Sequence, residues 1–268
     1  AFRAKLGPDS WFTTLVVQPR DTKAEIGTGR RVGTEGAASG WPVDESKSMD
    51  DIEDIVAARL DACNQVYLIQ GINSTLDEMV SSAVGTDSAD PTPILDEMRV
   101  RKSDREIQLM QESANIASAA LIEAMRATYS GIGEWQLQAI IEGYFTSNKS
   151  QWSYPSIVGG GDNATILHYN VNSADISDGE LVLVDAGCEV KGYASDITRT
   201  WPVNGKFNDA QRELYELVLK AQIAGIGACQ AGSPWSAMHQ ATSIVRAQGL
   251  IDLGIQTCPP EAALGEEF

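Results

Sequence analysis

Leu181-Val182-Leu183-Val184-Asp185-Ala186-Gly187 is the stretch that most restricts how this chain can fold. Four aliphatic residues run straight into a carboxylate. A run this short and this aliphatic specifies a strand, and one so apolar is expected to be buried on both faces. A carboxylate at its end is costly there unless it is paired, hydrogen-bonded or bound to a metal. A second strand-like run, Asp196-Ile197-Thr198-Arg199-Thr200, opens on another carboxylate. Between them, Glu189-Val190-Lys191-Gly192 has the composition of a hairpin turn. Folding there lays the two runs antiparallel and sets Asp185 against Asp196, roughly 5 Å apart if directly opposite. Like charges that close need a shared proton or something positive between them. Arg199 and Lys191 are at hand to neutralise them, and on residue types alone such ion pairing is the commoner arrangement. The other solution is a divalent cation, for which two aspartates supply part of a hard-oxygen shell.

Elsewhere the pattern changes along the chain. Residues 11–17 read as a strand, residues 50–61 as a helix with Ile52, Ile55, Val56 and Leu60 on one face, and residues 66–70 as a short buried strand. A helix over about 75–84 completes a small α/β pattern. Residues 85–96 concentrate Gly, Pro, Ser and Asp and read as a linker. Ser103 and Glu106 form a capping-box signature ahead of Ile107, Met110, Ala114, Ala117, Leu121 and Met125, the apolar stripe of a long helix. A further helix is expected over 134–145. Beyond Tyr154, the runs YPSIVGGGDN, ATILHY, ELVLVDAG and GYASDITRT read as antiparallel strands joined by hairpins. Helices return after Asn208, which can cap with Gln211, and after Ser233-Pro234. The fold class is α/β (α+β): a partial N-terminal α/β domain over 1–86, a linker over 87–101, and a sheet-and-helix domain over 102–268.

Charge limits the partners. Lys plus Arg number 20 against 37 Asp plus Glu, a net of −17 at pH 7. Such a surface repels phosphate backbones and anionic lipid, so neither nucleic acid nor a membrane is expected as a partner. No window approaches the ~18 apolar residues of a membrane-spanning helix. Cys63, Cys188, Cys229 and Cys258 show no metal-type spacing and read as reduced thiols of a cytoplasmic protein, with disulfides left open. The first residue is not Met, so it is not expected to be the translational start. Of the two histidines, His168 ends the strand-like run Ile166-Leu167-His168-Tyr169, either hydrogen-bonded for packing or facing a site. Gly159-Gly160-Gly161 lacks the Lys and the following helix of a phosphate loop, and reads as a flexible turn at a pocket rim.

Tyr154-Pro155-Ser156-Ile157-Val158-Gly159, Ile166-Leu167-His168-Tyr169, the run from Asp178 to Cys188 and the run from Gly192 to Thr200 resemble, in that order, the pita-bread metallopeptidases. The resemblance extends from about Trp11 to Leu253 and is strongest to the Xaa-Pro aminopeptidase (aminopeptidase P) branch, with prolidase a near relative. It implies an α/β domain followed by a curved antiparallel sheet wrapped by helices. It also implies two divalent ions, most often Mn²⁺, held by two Asp, one His and two Glu. Asp185 and Asp196 fall on the two Asp positions. His168 falls on a pocket histidine outside the metal shell that helps hold substrate and the tetrahedral intermediate, and Tyr154 lines the same pocket. The implied reaction removes the N-terminal residue from peptides with proline second, through a hydroxide bridging the metals. The family's other three ligands lie further toward the C-terminus than Phe268. The chain is therefore expected to be a piece of a longer protein, or else a form unable to hold the dinuclear site. A non-catalytic peptide-binding module and a prolidase-type dipeptidase are the alternatives. Expected partners are proline-containing peptides and, as a homo-oligomer, further copies of the chain.

Overall fold

The computed structural model describes residues 2–7, 10–61, 63, 65–84 and 88–257. The chain divides into two compact units, Ala1–Lys102 and Ser103–Phe268.

The first unit alternates strands and helices: β1 (Phe2–Gly7), β2 (Ser10–Val17), α1 (Thr22–Thr28), α2 (Gly33–Gly40), β3 (Glu45–Ser48), α3 (Ile52–Asp61), β4 (Val66–Tyr67), α4 (Ser74–Val84), β5 (Ser88–Ala89) and α5 (Thr92–Val100). β2 is central, antiparallel to β1 and parallel to β3. The Thr14 hydroxyl is buried and donates to Glu45, and the Arg59 guanidinium donates to both, which ties α3 to the sheet. The strand expected over 66–70 is only two residues long and pairs in parallel with β5. The stretch expected as a linker over 87–101 is mostly helix. Asp90 accepts from the Thr92 amide, and Pro93 lies in the first turn, where its fixed φ suits a helix start.

The second unit begins with α6 (Asp104–Ala127) and α7 (Glu134–Ser147). It continues through β6 (Gln151–Trp152), β7 (Ile157–Gly160), β8 (Leu181–Ala186), β9 (Cys188–Val190), β10 (Tyr193–Ala194) and β11 (Ile197–Pro202), and ends with α8 (Asp209–Ala228) and α9 (Ser236–Asp252). Both expected capping boxes are formed, Ser103 with Glu106 and Asn208 with Gln211. The helix expected to open at Ser233-Pro234 starts at Ser236 instead, without a side-chain cap. β8 lies between β11 and β7, antiparallel to both, and β9 lies between β10 and β6.

The core sits between α6, α7 and β8. Ala117, Ala120, Leu121 and Ala124 meet Leu137, Ile141 and Phe145 and the strand residues Val182, Val184 and Ala186. β8 is not buried on both faces, as its composition suggests. Val182, Val184 and Ala186 are fully buried, whereas Leu181, Leu183 and Asp185 are half-buried. Side chains alternate across a strand, so the helices cover one face only and Asp185 belongs to the other.

The run Ala164–Tyr169 is not a strand. β7 stops at Gly160, Gly161 takes φ +52°, and residues 161–165 close a 3₁₀ turn. Nor is the glycine run a flexible turn. Gly159 and Gly160 are strand residues against which the chain folds back. A β-carbon on Gly159 would meet the Ala164 nitrogen at 2.9 Å, and one on Gly160 would meet Ile176 at 2.6 Å.

Backbones approach most closely at Gly187, between β8 and β9. A β-carbon there would stand 1.8 Å from the Ser195 carbonyl oxygen. Ser113 of α6 braces the same region by donating to the Cys188 carbonyl at 2.6 Å. Gly187→Ala is expected to cost about 1–3 kcal/mol or more, the scale of overpacking. Thermal melts read this as a lowered Tm, and an unchanged Tm would rule out the tight fit.

Candidate active site

The hairpin that carries the two aspartates turns at Lys191-Gly192. Both residues have positive φ, 51° and 86°, the backbone of a two-residue I′ turn. Val190 then pairs with Tyr193 and Glu189 with Ala194, and the same register sets Ala186 against Ile197 and Asp185 against Thr198. Asp185 and Asp196 are therefore not directly opposite, as a turn centred on Glu189–Gly192 would have made them. The ladder is displaced by two residues. Because strand side chains repeat every second residue, that displacement leaves the aspartates on one face, as diagonal neighbours.

Tyr154 joins them. Its hydroxyl lies 2.5 Å from Asp185 Oδ1 and 3.0 Å from Asp196 Oδ1. The two carboxylate oxygens can thus be no further apart than the sum of those distances. Burial pushes the phenol's pKa well above its ordinary value, and the bonds to both carboxylates push it the same way. Tyr154 stays a protonated donor, with one proton for two carboxylates. No Lys or Arg among the described residues forms an ion pair with either aspartate. Arg199 donates to the Thr198 carbonyl instead, and Lys191 is exposed in the turn. Neutralisation by these two side chains is not what the structure shows. Two hard-oxygen donors converging without a basic counter-ion suit a divalent cation. They supply only part of its shell. Among the described residues no three His, Cys, Asp or Glu side chains group as a metal site.

His168 lies in the turn after the 3₁₀ segment rather than on a strand. It is exposed and, among the described residues, has no hydrogen-bond partner. It is not the half-buried packing histidine that its apolar neighbours suggested. Tyr154, Asp185 and Asp196 are brought into contact, and His168 makes no hydrogen bond to them.

Sequence reasoning missed Glu134. This first residue of α7 is fully buried and accepts four hydrogen bonds. Oε1 takes the Gly160 amide at 2.8 Å and Asn163 Nδ2 at 3.0 Å. Oε2 takes the Tyr169 hydroxyl at 2.8 Å and the Ala174 amide at 2.9 Å. Burial alone would raise its pKa, but these donors outweigh it and hold the carboxyl below its ordinary value. An acidic residue opening a helix reads in sequence as an exposed partner of the helix dipole, because its distant donors leave no local mark. The one faint signal was Asn163 and Tyr169, polar groups placed in a glycine-rich segment that would have to satisfy them. In the N-terminal unit, a cleft of about 360 Å³ bordered by Val16, Met49, Ile52 and Met79 carries no titratable side chain.

The fold is that of a metallopeptidase-type domain, as comparison with known proteins shows. Residues 108–258 match the model of metallopeptidase family M24, and the chain belongs to that family. It is 41% identical over 244 residues to a Xaa-Pro aminopeptidase of Haemophilus influenzae, covering 90% of this chain and 57% of that protein. It is 37% identical over 259 residues to the Xaa-Pro aminopeptidase of Escherichia coli, covering 91% and 58%. Among solved structures, proline aminopeptidase P II from Yersinia pestis superposes with a TM-score of 0.92 at 34% identity, over 99% of this chain and 64% of that one. An E. coli aminopeptidase P variant in complex with substrate gives 0.91 at 33%, over 98% and 63%. The second unit thus has the pita-bread fold, and the chain spans about three fifths of the length of these relatives.

A carboxyl whose pKa is lower in the folded state contributes stability in full above its unfolded value and loses it as pH falls through the folded one. For Glu134 the loss begins as pH drops below about 4.5. Glu134→Gln is expected to lower Tm at neutral pH and to flatten the acid limb below that value. Melts across the acid range check this, and parallel acid limbs for the two proteins would refute it.

Proposed function

We propose that this chain is part of a metal-dependent exopeptidase that releases the N-terminal residue from peptides with proline in second position. One observation carries the chemistry: Asp185 and Asp196 converge on the single Tyr154 hydroxyl, with no Lys or Arg among the described residues ion-paired to either. The likeness to Xaa-Pro aminopeptidases supports the substrate class. Divalent ions bound there would lower the pKa of water and polarise the carbonyl to be attacked. In this reading the ions are two Mn²⁺. Asp185 and Asp196 would hold them, together with ligands from outside the described residues.

The chain's own residues do the rest. Tyr154 keeps its proton and so fixes the orientation of both carboxylates, which holds two ligands in place before a cation arrives. His168, exposed and without a hydrogen-bond partner among the described residues, is available to donate to the oxygen on which negative charge develops. Tyr154 also borders the space in which the proline ring is held. The same reading places the protein in the cytoplasm; among the described residues Cys63, Cys188 and Cys229 are free thiols. No helix among the described residues is long and apolar enough to cross a membrane.

A divalent ion takes about six donors, and two aspartates give at most four. Residues 1–268 alone are expected to bind Mn²⁺ weakly and to show no Xaa-Pro hydrolysis. A polypeptide that joins them to the family's remaining ligands is expected to cleave such peptides with Mn²⁺. Asp196→Ala in that polypeptide should abolish turnover. Peptide release assays with and without Mn²⁺ decide the matter: peptide binding without cleavage would establish a binding module instead, and strong cleavage by residues 1–268 would show the ligand assignment to be wrong.

A further inference from the structure

The chain between β7 and β8 is long for a connection between neighbouring antiparallel strands, and one side chain gathers it. Glu134 reaches from the first turn of α7 to four donors along it: the Gly160 amide, Asn163 Nδ2, the Tyr169 hydroxyl and the Ala174 amide. Tyr169 is held twice, since its hydroxyl also accepts from Asn163 Nδ2 at 3.1 Å. A second tether holds the same chain through Asn172. Buried Asn172 accepts from the Val158 amide and donates to the Ser156 carbonyl and to Gln138 Oε1, with its own backbone at φ 48°. Between these anchors, Ile166, Leu167 and His168 are exposed. The segment is therefore fixed at its base and open at its tip, and the residue that precedes the anchored Tyr169 is the histidine.

We propose that Glu134 is a positioning residue for His168, acting through the Tyr169 hydroxyl to hold the 161–174 segment so that the imidazole faces substrate. The glycine run has its place in the same device. Gly159 and Gly160 leave room for Ala164 and Ile176, so the segment can lie directly on β7 and bring its donors within reach of Glu134. A buried carboxylate suits the task better than a neutral group. It accepts at both oxygens, and bonds to a charged acceptor are roughly twice as strong as neutral ones. What His168 does rests on the Xaa-Pro reading above; where it is held does not.

Two measurements separate those questions. The first uses residues 1–268 and the order parameter of the His168 backbone amide. Glu134→Gln tests the hub directly. Tyr169→Phe keeps the ring and leaves Glu134 its other donors, so it preserves the fold if the hub variant does not. The wild-type amide is expected near the rigid value of about 0.85, and Tyr169→Phe should move it toward about 0.6, with α7 and β8 unchanged. An amide as ordered in Tyr169→Phe as in the wild type overturns the proposal.

The second measurement uses the polypeptide that cleaves Xaa-Pro peptides. Tyr169→Phe is expected to lower kcat about ten- to a hundredfold, the scale of a displaced reacting geometry, with KM nearly unchanged. On a His168→Ala background the same substitution should cost almost nothing further, because residues that act as one unit are not additive. An equal further loss on that background would show a merely structural role and would also overturn the proposal. If no form cleaves such peptides, the functional reading fails and the order parameter alone decides where Glu134 acts.

Discussion

Placing a carboxylate in a protein interior costs several kcal/mol unless its charge is met by donors. Glu134 is met four times, by groups from Gly160 to Ala174 along the β7–β8 connection, and it sits in the first turn of α7, where the helix dipole favours an anion. The requirement works in both directions. The carboxylate needs those donors to be tolerable at all, and the connection, paired to neighbouring backbone only at residues 174–176, needs the carboxylate to fix its path from Gly160 to Ala174. The 3₁₀ turn, the close seat on Gly159 and Gly160, and the exposure of His168 follow from that mutual demand.

The aspartate pair depends on a different constraint, the conformation of two turn residues. A two-residue turn with Lys191 and Gly192 both at positive φ fixes the pairing of β9 with β10, and the register carries through to β8 and β11. Gly187 admits the Ser195 carbonyl at a distance that no β-carbon would allow, which lets the ladder continue past the break between β8 and β9. Tyr154, in the segment that joins β6 to β7, closes the arrangement with one hydroxyl.

Local signals in the sequence carried over well where the cause was local. Ser103 and Glu106, and Asn208 and Gln211, satisfy each other within one turn, so their helices were legible to the residue. The stripe from Ile107 to Met125 marked α6, although Ile107, Met110 and Met125 lie on its exposed side and Ala117 and Leu121 in the core. Asp185 and Asp196 were legible as a pair, but not their register. That depended on Lys191 taking a left-handed conformation, which its side chain does not advertise. Ile166-Leu167-His168-Tyr169 has a strand's composition and failed as one because Glu134, more than thirty positions away, offers its neighbours better hydrogen bonds than a ladder would. Composition gave no sign of α5 within 87–101, where Pro93 sits in the helix's first turn.

β8 divides its labour residue by residue. Val182, Val184 and Ala186 are wedged among the helices, and Leu181, Leu183 and Asp185 face the opposite way. Substitutions along this one short strand therefore fall into two interleaved sets, one felt in folding and the other in whatever occupies the site. Length matters more than either. A single residue inserted or deleted just before Leu181 would exchange the sets at a stroke, turning a carboxylate toward Leu137 and Phe145 and a valine toward Tyr154. Divergence of this strand can proceed by replacement but not by a one-residue change in length, so its spacing is more tightly bound than the identity of most residues that fill it.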